Sequence, residues 1–327
     1  LAAAATRSDA TWAVEIVGEA REAYREIVMT DLSSVCEVRL NAPISTWFGV
    51  GGTADRLALP ITIGQVKECV VSDASLRVLG DGANLLVNDG GVRELVVSLA
   101  GLNNVTMDAA SGVVTVGAGV NLPRLITMTV REGLGGLESL GGIPASVGGA
   151  LVMNAGGAFG EISSVVERVY VMGRGGEERT LERTEIAFSY RHSGLNDYII
   201  LGAQLRLVPS DPAALRERLK EVMAYKKNSQ PMAENSAGCC FKNLTLSIED
   251  AEFGPAGARV SAGRLIDRAG CKGLRIGSAE VSHVHGNFLT ADKGGRASDV
   301  IALIEEVSRR VEGKFGVTLT PEVVVWG

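Results

Sequence analysis

Residues 133–160 read GLGGLESLGGIPASVGGALVMNAGGAFG. Ten of these 28 residues are glycine, too many for a regular helix, where each glycine costs about 1 kcal/mol relative to alanine. The stretch reads instead as a winding segment whose backbone passes close to something. A second cluster, GDGANLLVNDGG at 80–91, turns out of a strand end through Gly80 and Gly82, with Asn84 offering an amide. Successive N–H groups in glycine turns form nests for anions and need no lysine. Scattered glycines are usually only turns, but two dense clusters in one half of the chain point to a phosphate-bearing ligand. GVGGTA at 49–54 formally fits a dinucleotide fingerprint, yet DRLALPITIG follows, with Pro60 and a strand pattern where that fingerprint requires a helix.

Around these clusters the chain alternates short strands and helices. Val17, Ala20, Tyr24, Ile27 and Val28 are spaced as a helix over 12–29. From 35 to 99 the pattern is β-type runs cut by glycine, and GVVTVGAG adds another strand. A helix follows with Asn121 as its cap, Pro123 in its first turn and Gly133 at its end. Three more strands lead to the helix DPAALRERLKEVMAYKK, capped by Asp211 or Ser210 with Pro212 at its first position. A domain boundary is placed near 211. Beyond it come the turn GCCFKN, a strand around HGNFLTA, and an amphipathic helix. Its buried face is Val300, Leu303, Ile304, Val307 and Val311, with Glu305/Arg309 and Glu306/Arg310 pairs outside. The final strand is VTLTPEVVVW. The expected units are a helical extension (1–30), a first domain (31–210) and a second domain (211–327) whose last strand, about 318–327, reaches the active site.

Composition narrows the function. The 327 residues carry a net charge of −6, which argues against a protein built around nucleic acid or an anionic membrane surface. No stretch approaches the roughly 20 apolar residues of a membrane span. The first ten residues lack the pattern of a signal peptide. Five cysteines, at 36, 69, 239, 240 and 271, show no CxxC spacing, so a reducing cytoplasm is expected. Cys239, Cys240, Cys271, His283 and His285 lack the spacing of metal ligands, and no metal is expected.

The order and spelling of several segments carry a resemblance. TWFGVGGTAD, LGDGANLLVNDGG, the 133–160 segment and FSYRHSGL closely resemble the flavin lobe of the UDP-N-acetylenolpyruvoylglucosamine reductase (UDP-N-acetylmuramate dehydrogenase) family. AGCCFKN, SAGRLIDRAGCKG, VSHVHGNF and FGVTLTPEVVVWG resemble its substrate lobe. The resemblance covers about residues 41–327, in the compact subtype. It implies an α+β fold: a vanillyl-alcohol-oxidase-type FAD-binding lobe of two α+β subdomains, plus a smaller α+β substrate-binding lobe. It further implies non-covalent FAD, NADPH as hydride donor, and reduction of UDP-N-acetylglucosamine enolpyruvate to UDP-N-acetylmuramate in peptidoglycan synthesis. No nucleic acid or membrane partner is implied, and a monomer is favoured. Two other readings stay open: a relative that binds FAD or UDP-sugar without turnover, and a flavin oxidase on the same lobe.

Carried over residue by residue, the resemblance makes Arg191 the catalytic arginine and Glu322 the catalytic glutamate. Cys239 replaces the family's serine proton donor. A free thiol, with a pKa of about 8.5, is the stronger acid and is chemically able to do the work. It would then lose activity in mild alkali and react with alkylating reagents. Cys240 is read as structural, and so is His285. FAD contacts are expected from Gly80, Gly82, Asn84, Leu85, Gly141, Gly142, Ile143, Pro144, Ser146, Gly148, Gly149, Asn154 and Gly156. Substrate contacts are expected from Tyr190, Lys226, Lys242 and Asn243. The family's proline after Asn243 is Leu244 here.

Overall fold

The computed structural model describes residues 32–246 and 253–327. The extension 1–30 and its helix lie outside the described residues. The chain opens with β1 (Glu37–Pro43), β2 (Thr53–Leu59), helix α1 (Ile63–Ser72), β3 (Arg77–Leu79), β4 (Leu85–Val87) and β5 (Val92–Ser98). Four of these strands form a sheet in the order β1-β2-β5-β3, with β1 antiparallel and the rest parallel. Thr62 starts α1 by accepting the N–H of Gln65, so the strand signal of DRLALP ends in a capped helix only after Pro60.

A second subdomain follows. Its strands are β6 (Val105–Asp108), β7 (Val113–Gly117), β8 (Val166–Met172), β9 (Glu178–Glu182) and β10 (Ile199–Arg206). They form one antiparallel sheet ordered β9-β8-β10-β7-β6. Helix α2 (Leu122–Arg131) begins as its sequence indicates: Asn121 Oδ1 accepts from the N–H of Arg124, and Pro123 sits in the first turn. The glycine-rich segment is mostly irregular but contains one short helix, α3 (Val147–Val152), capped by Ser146. Both subdomains share one core, in which Leu95, Leu122, Ile126, Leu151, Val169 and Ile199 are all buried.

Helix α4 (Pro212–Ser229) is capped by the Asp211 carboxylate, which accepts the N–H groups of Ala213 and Ala214. It buries Leu215 in the first core, and Leu219 packs against it. The boundary drawn at 211 thus falls at the head of a helix that packs with the first lobe.

The last part holds α5 (Ala262–Arg268), the antiparallel strands β11 (Arg275–Ile276), β12 (Ala279–Val281) and β13 (Leu289–Ala291), and α6 (Ala297–Phe315). The apolar face read for α6 is the buried one. On its outer face Glu306 pairs with both Arg309 and Arg310, whereas the expected Glu305–Arg309 pair does not form. The i,i+3 geometry brings Arg309 to the same carboxylate as its neighbour. Only β14 (Val324–Trp326) of the final segment is strand, and it runs parallel to β4 in the first lobe. Phe48, Val50 and Leu86 from the first lobe enter the second core beside Phe241, Leu265 and Leu303. Among the described residues no helix is long and apolar enough to cross a membrane.

Candidate active site

A cavity of about 1420 Å³ lies where both glycine clusters, the end of α4 and the second lobe meet. Gly80 and Gly82 form part of its wall. Gly82 has φ +63°, and a Cβ there would stand 2.1 Å from the Ser45 carbonyl oxygen, so only glycine makes this turn. A Cβ on Gly80 would stand 2.5 Å from Ser146 Oγ, the cap of α3. The two clusters, some 60 residues apart in the chain, therefore close on one another. Among the described residues the N–H groups of Asp81, Gly82 and Ala83 donate to no protein acceptor. A wall of bare backbone donors and small residues fits the diphosphate and flat ring system of a flavin dinucleotide. Leu85, Gly141, Gly142, Ile143, Pro144, Ser146, Gly148, Gly149 and Gly156 line the same cavity. Asn84 lines it too, and its amide also donates to the Glu322 carbonyl at 2.9 Å, tying the lobes together.

Asn154 is placed differently. It is buried, does not line the cavity, and spends its amide on Glu161 Oε2 (2.8 Å) and the Ser189 carbonyl (2.9 Å). Its Oδ1 accepts the N–H of Ser163. Its side-chain polar atoms are all engaged, so it braces the loop that presents Tyr190 and Arg191 from behind the cavity wall.

That loop is a two-residue turn. Ser189 and His192 exchange backbone hydrogen bonds at 2.9 and 3.1 Å, leaving Tyr190 and Arg191 at the tip. Arg191 has φ +54°, a left-handed conformation that costs free energy for a non-glycine residue and persists where the surroundings enforce it. Its Nη1 donates to the Gly156 carbonyl at 2.9 Å, and its Nε stands 2.6 Å from Glu322 Oε1. The Nε–Oε1 contact is an ion pair without an aligned hydrogen bond. Burial pushes the Glu322 carboxyl up from its ordinary range, while the Arg191 guanidinium opposes this.

Cys239 lines the cavity beside them, and Cys240 is fully buried in the second core. Burial pushes the Cys239 thiol up to about 12; the charge of Glu322 adds to this and Arg191 opposes it. The thiol thus stays protonated through neutral and mildly alkaline pH, unlike the free thiol at about 8.5 assumed from sequence. The N–H of Glu322 donates to the Cys240 carbonyl at 2.7 Å, so the two segments register directly. Lys226, near the end of α4, is buried against Gly142, and a Cβ on that glycine would lie 3.0 Å from Lys226 Cδ. Its ammonium is held down to about 8, first by burial and then by Arg191.

Tyr190 and Asn243 line the cavity, whereas Lys242 does not. The Lys242 N–H pairs with the Thr320 carbonyl in extended chain, where successive side chains point to opposite faces. Lys242 is nonetheless near enough to Glu322 for its charge to oppose the upward push on that carboxyl. Two residues escaped the sequence reading. Arg259 lines the cavity with its guanidinium 4.0 Å from the centre of the Tyr190 ring. Asn287 is buried, and its amide exchanges hydrogen bonds with both backbone groups of Phe241 at 2.9 and 2.8 Å. It also acts on the Cys239 thiol, opposing the upward push of burial. VSHVHGNF was a signal for the Asn287 region, but nothing near Arg259 marked it. His285 accepts the N–H of Asn287 and stacks edge-on against Phe288, a structural role as read.

A cavity walled by glycine turns, with an arginine, a carboxyl and a proton-bearing thiol at one end, defines a flavin-dependent oxidoreductase. The FAD-binding domain family matches residues 61–182, and the C-terminal domain of UDP-N-acetylenolpyruvoylglucosamine reductase matches 230–326. The reductase of that name from Moorella thermoacetica is 39% identical over 89% of this chain and 94% of its own. That from Bacillus subtilis is 34% identical over 90% of this chain and 95% of its own. The crystal structure of the Thermus caldophilus enzyme superposes with a TM-score of 0.72 at 38% identity, covering 89% of this chain and 99% of that one. The chain belongs to the UDP-N-acetylenolpyruvoylglucosamine reductase family. Its fold is the expected α+β arrangement of a two-part FAD lobe and a smaller second lobe, and its cofactor is FAD.

Proposed function

We propose that the chain reduces the enolpyruvyl ether of UDP-N-acetylglucosamine enolpyruvate to the lactyl ether of UDP-N-acetylmuramate, with NADPH as electron source. The glycine wall would hold FAD, which would supply the hydride chemistry between NADPH and the vinyl carbon of the substrate. The chain's own residues handle the charge that follows. Hydride addition places negative charge on the adjacent carbon and its carboxylate, as an enolate, and that carbon then needs a proton. Arg191 holds the carboxylate: Nε faces Glu322 and Nη1 the Gly156 carbonyl, which fixes the guanidinium plane and leaves Nη2 without a protein acceptor among the described residues. Glu322 keeps that arginine in place. Cys239 delivers the proton from sulfur to carbon, and its burial ensures that the proton is there to give.

The observation that carries this reading is the convergence of Arg191, Glu322 and Cys239 on the cavity that both glycine clusters line. The names of the relatives support the choice of substrate, and with it a proposed role in cytoplasmic peptidoglycan synthesis, hence in cell-wall biogenesis, cell shape and division. Steady-state NADPH consumption tests it. Oxidation that requires the enolpyruvyl substrate is expected. Equal consumption with and without it, using oxygen, would indicate a flavin oxidase; none in either case would indicate a binding relative without turnover.

A further inference from the structure

The proposed substrate carries a diphosphate on the same sugar ring as its enolpyruvyl ether. Those charges need a cation away from the reacting carbon, and Lys242, the expected one, does not line the cavity. Five other cationic side chains do. Arg77 is paired with Glu94, and Arg174, from the second subdomain, donates to the Leu76 carbonyl of the first. Arg191 is committed to Glu322 and Gly156. Lys226 lies buried against Gly142. Arg259 differs from the first three: among the described residues its guanidinium has no carboxylate or carbonyl partner and lies over the face of Tyr190 at 4.0 Å.

That contact also fixes its place. The Tyr190 ring is approached by Arg191 as well, with its guanidinium 5.5 Å from the ring centre. The Tyr190 hydroxyl accepts the N–H of Asn243 at 3.2 Å, which pins the ring. Arg259 thus borders the same aromatic ring as the arginine that takes the reacting carboxylate, a proximity suited to two groups on one sugar. A guanidinium stacked on an aromatic face stays charged and keeps its planar edge for a bidentate phosphate contact. A short antiparallel pair, Leu244–Thr245 with Arg259–Val260, brings it there from 16 residues beyond Asn243.

We infer that Arg259, seated on Tyr190, binds the diphosphate of the nucleotide-sugar substrate and sets the enzyme's demand for a nucleoside diphosphate. The inference deepens the proposed function and rests on it. Because NADPH also carries a diphosphate, the test separates the two sources. The FAD-loaded wild type, R259A, R259Q and R259K are titrated calorimetrically with UDP and with uridine, and the KM for NADPH is measured alongside. One FAD per chain certifies the fold of each variant. Loss of one charged contact is expected to weaken UDP by about 10–100-fold in R259A and R259Q. Uridine affinity and the KM for NADPH stay within about twofold, since neither loses that contact. R259K recovers part of the loss, because lysine keeps the charge without the fork.

Unchanged UDP affinity in R259A and R259Q overturns the inference, as does an equal loss for UDP and uridine. A raised KM for NADPH with unchanged UDP affinity assigns Arg259 to the other diphosphate and overturns it too. A wild type that binds no UDP and is not reoxidised by the enolpyruvyl substrate rejects the proposed function itself. A wild type that turns over while the variants keep UDP rejects only the role of Arg259.

Discussion

Cys239 and Lys226 face one cavity with opposite responses to burial: the thiol's proton is held more tightly and the ammonium's more loosely. For Cys239 the consequence is a donor loaded at every working pH. Cys239→Ala is expected to lower kcat by about 100-fold, the usual size of a general-acid contribution, and Cys239→Ser to restore much of it. Cys240→Ala should have little effect on kcat; full activity of the 239 alanine variant would remove the thiol from the mechanism. The alkaline loss and rapid alkylation expected of a free thiol are replaced by slow labelling with iodoacetamide and no thiol-linked fall in rate up to about pH 10. Lys226 supplies the alkaline limb instead. Its positive form favours anionic ligands, so raising the pH through about 8 removes attraction. The Kd for UDP should be flat below that point and rise above it, by up to about tenfold per pH unit. Lys226→Arg should flatten the profile, and a wild-type Kd independent of pH between about 7 and 9.5 would contradict the assignment.

At the scale of elements, GCCFKN is held by a partner the sequence hid. Asn287 satisfies both backbone groups of Phe241 and accepts the Cys240 N–H at its own carbonyl. Asn287→Ala leaves two buried backbone groups unpaired and is expected to cost about 2–4 kcal/mol, read as a lower urea midpoint with unchanged m. It should also lower kcat; a stable, fully active variant would contradict the bracing role. The glycine turns, Arg191, Glu322 and Cys239 were legible because each sits in a contiguous string whose spelling carries the geometry. Asn154 and Lys242 do not line the cavity, for a related reason. Membership in a string does not say which way a side chain faces, and one is spent on bracing while the other stays off the cavity wall and acts on Glu322. Arg259 was illegible because the strand pairing of 244–245 with 259–260, not local sequence, delivers it.

Across the whole molecule the two cores interlock at the cavity. β14 pairs in parallel with β4, Asn84 holds the Glu322 carbonyl, and the Asp89 carboxylate caps α6 by accepting the N–H groups of Ala297 and Ser298 at 2.8 and 3.2 Å. These ties put the acid-bearing C-terminal segment against the flavin wall, which the linear reading anticipated only as a final strand reaching the active site. They make the central claim a matter of stoichiometry: one FAD, reduced on one side of the reaction and reoxidised on the other, in a single cavity. The direct measurement is an anaerobic titration followed by flavin absorbance. One equivalent of NADPH should bleach the enzyme-bound FAD, and one equivalent of UDP-N-acetylglucosamine enolpyruvate should then restore the oxidised spectrum and yield UDP-N-acetylmuramate. Flavin that bleaches but stays reduced after the substrate is added, and recovers only when oxygen is admitted, would contradict the account.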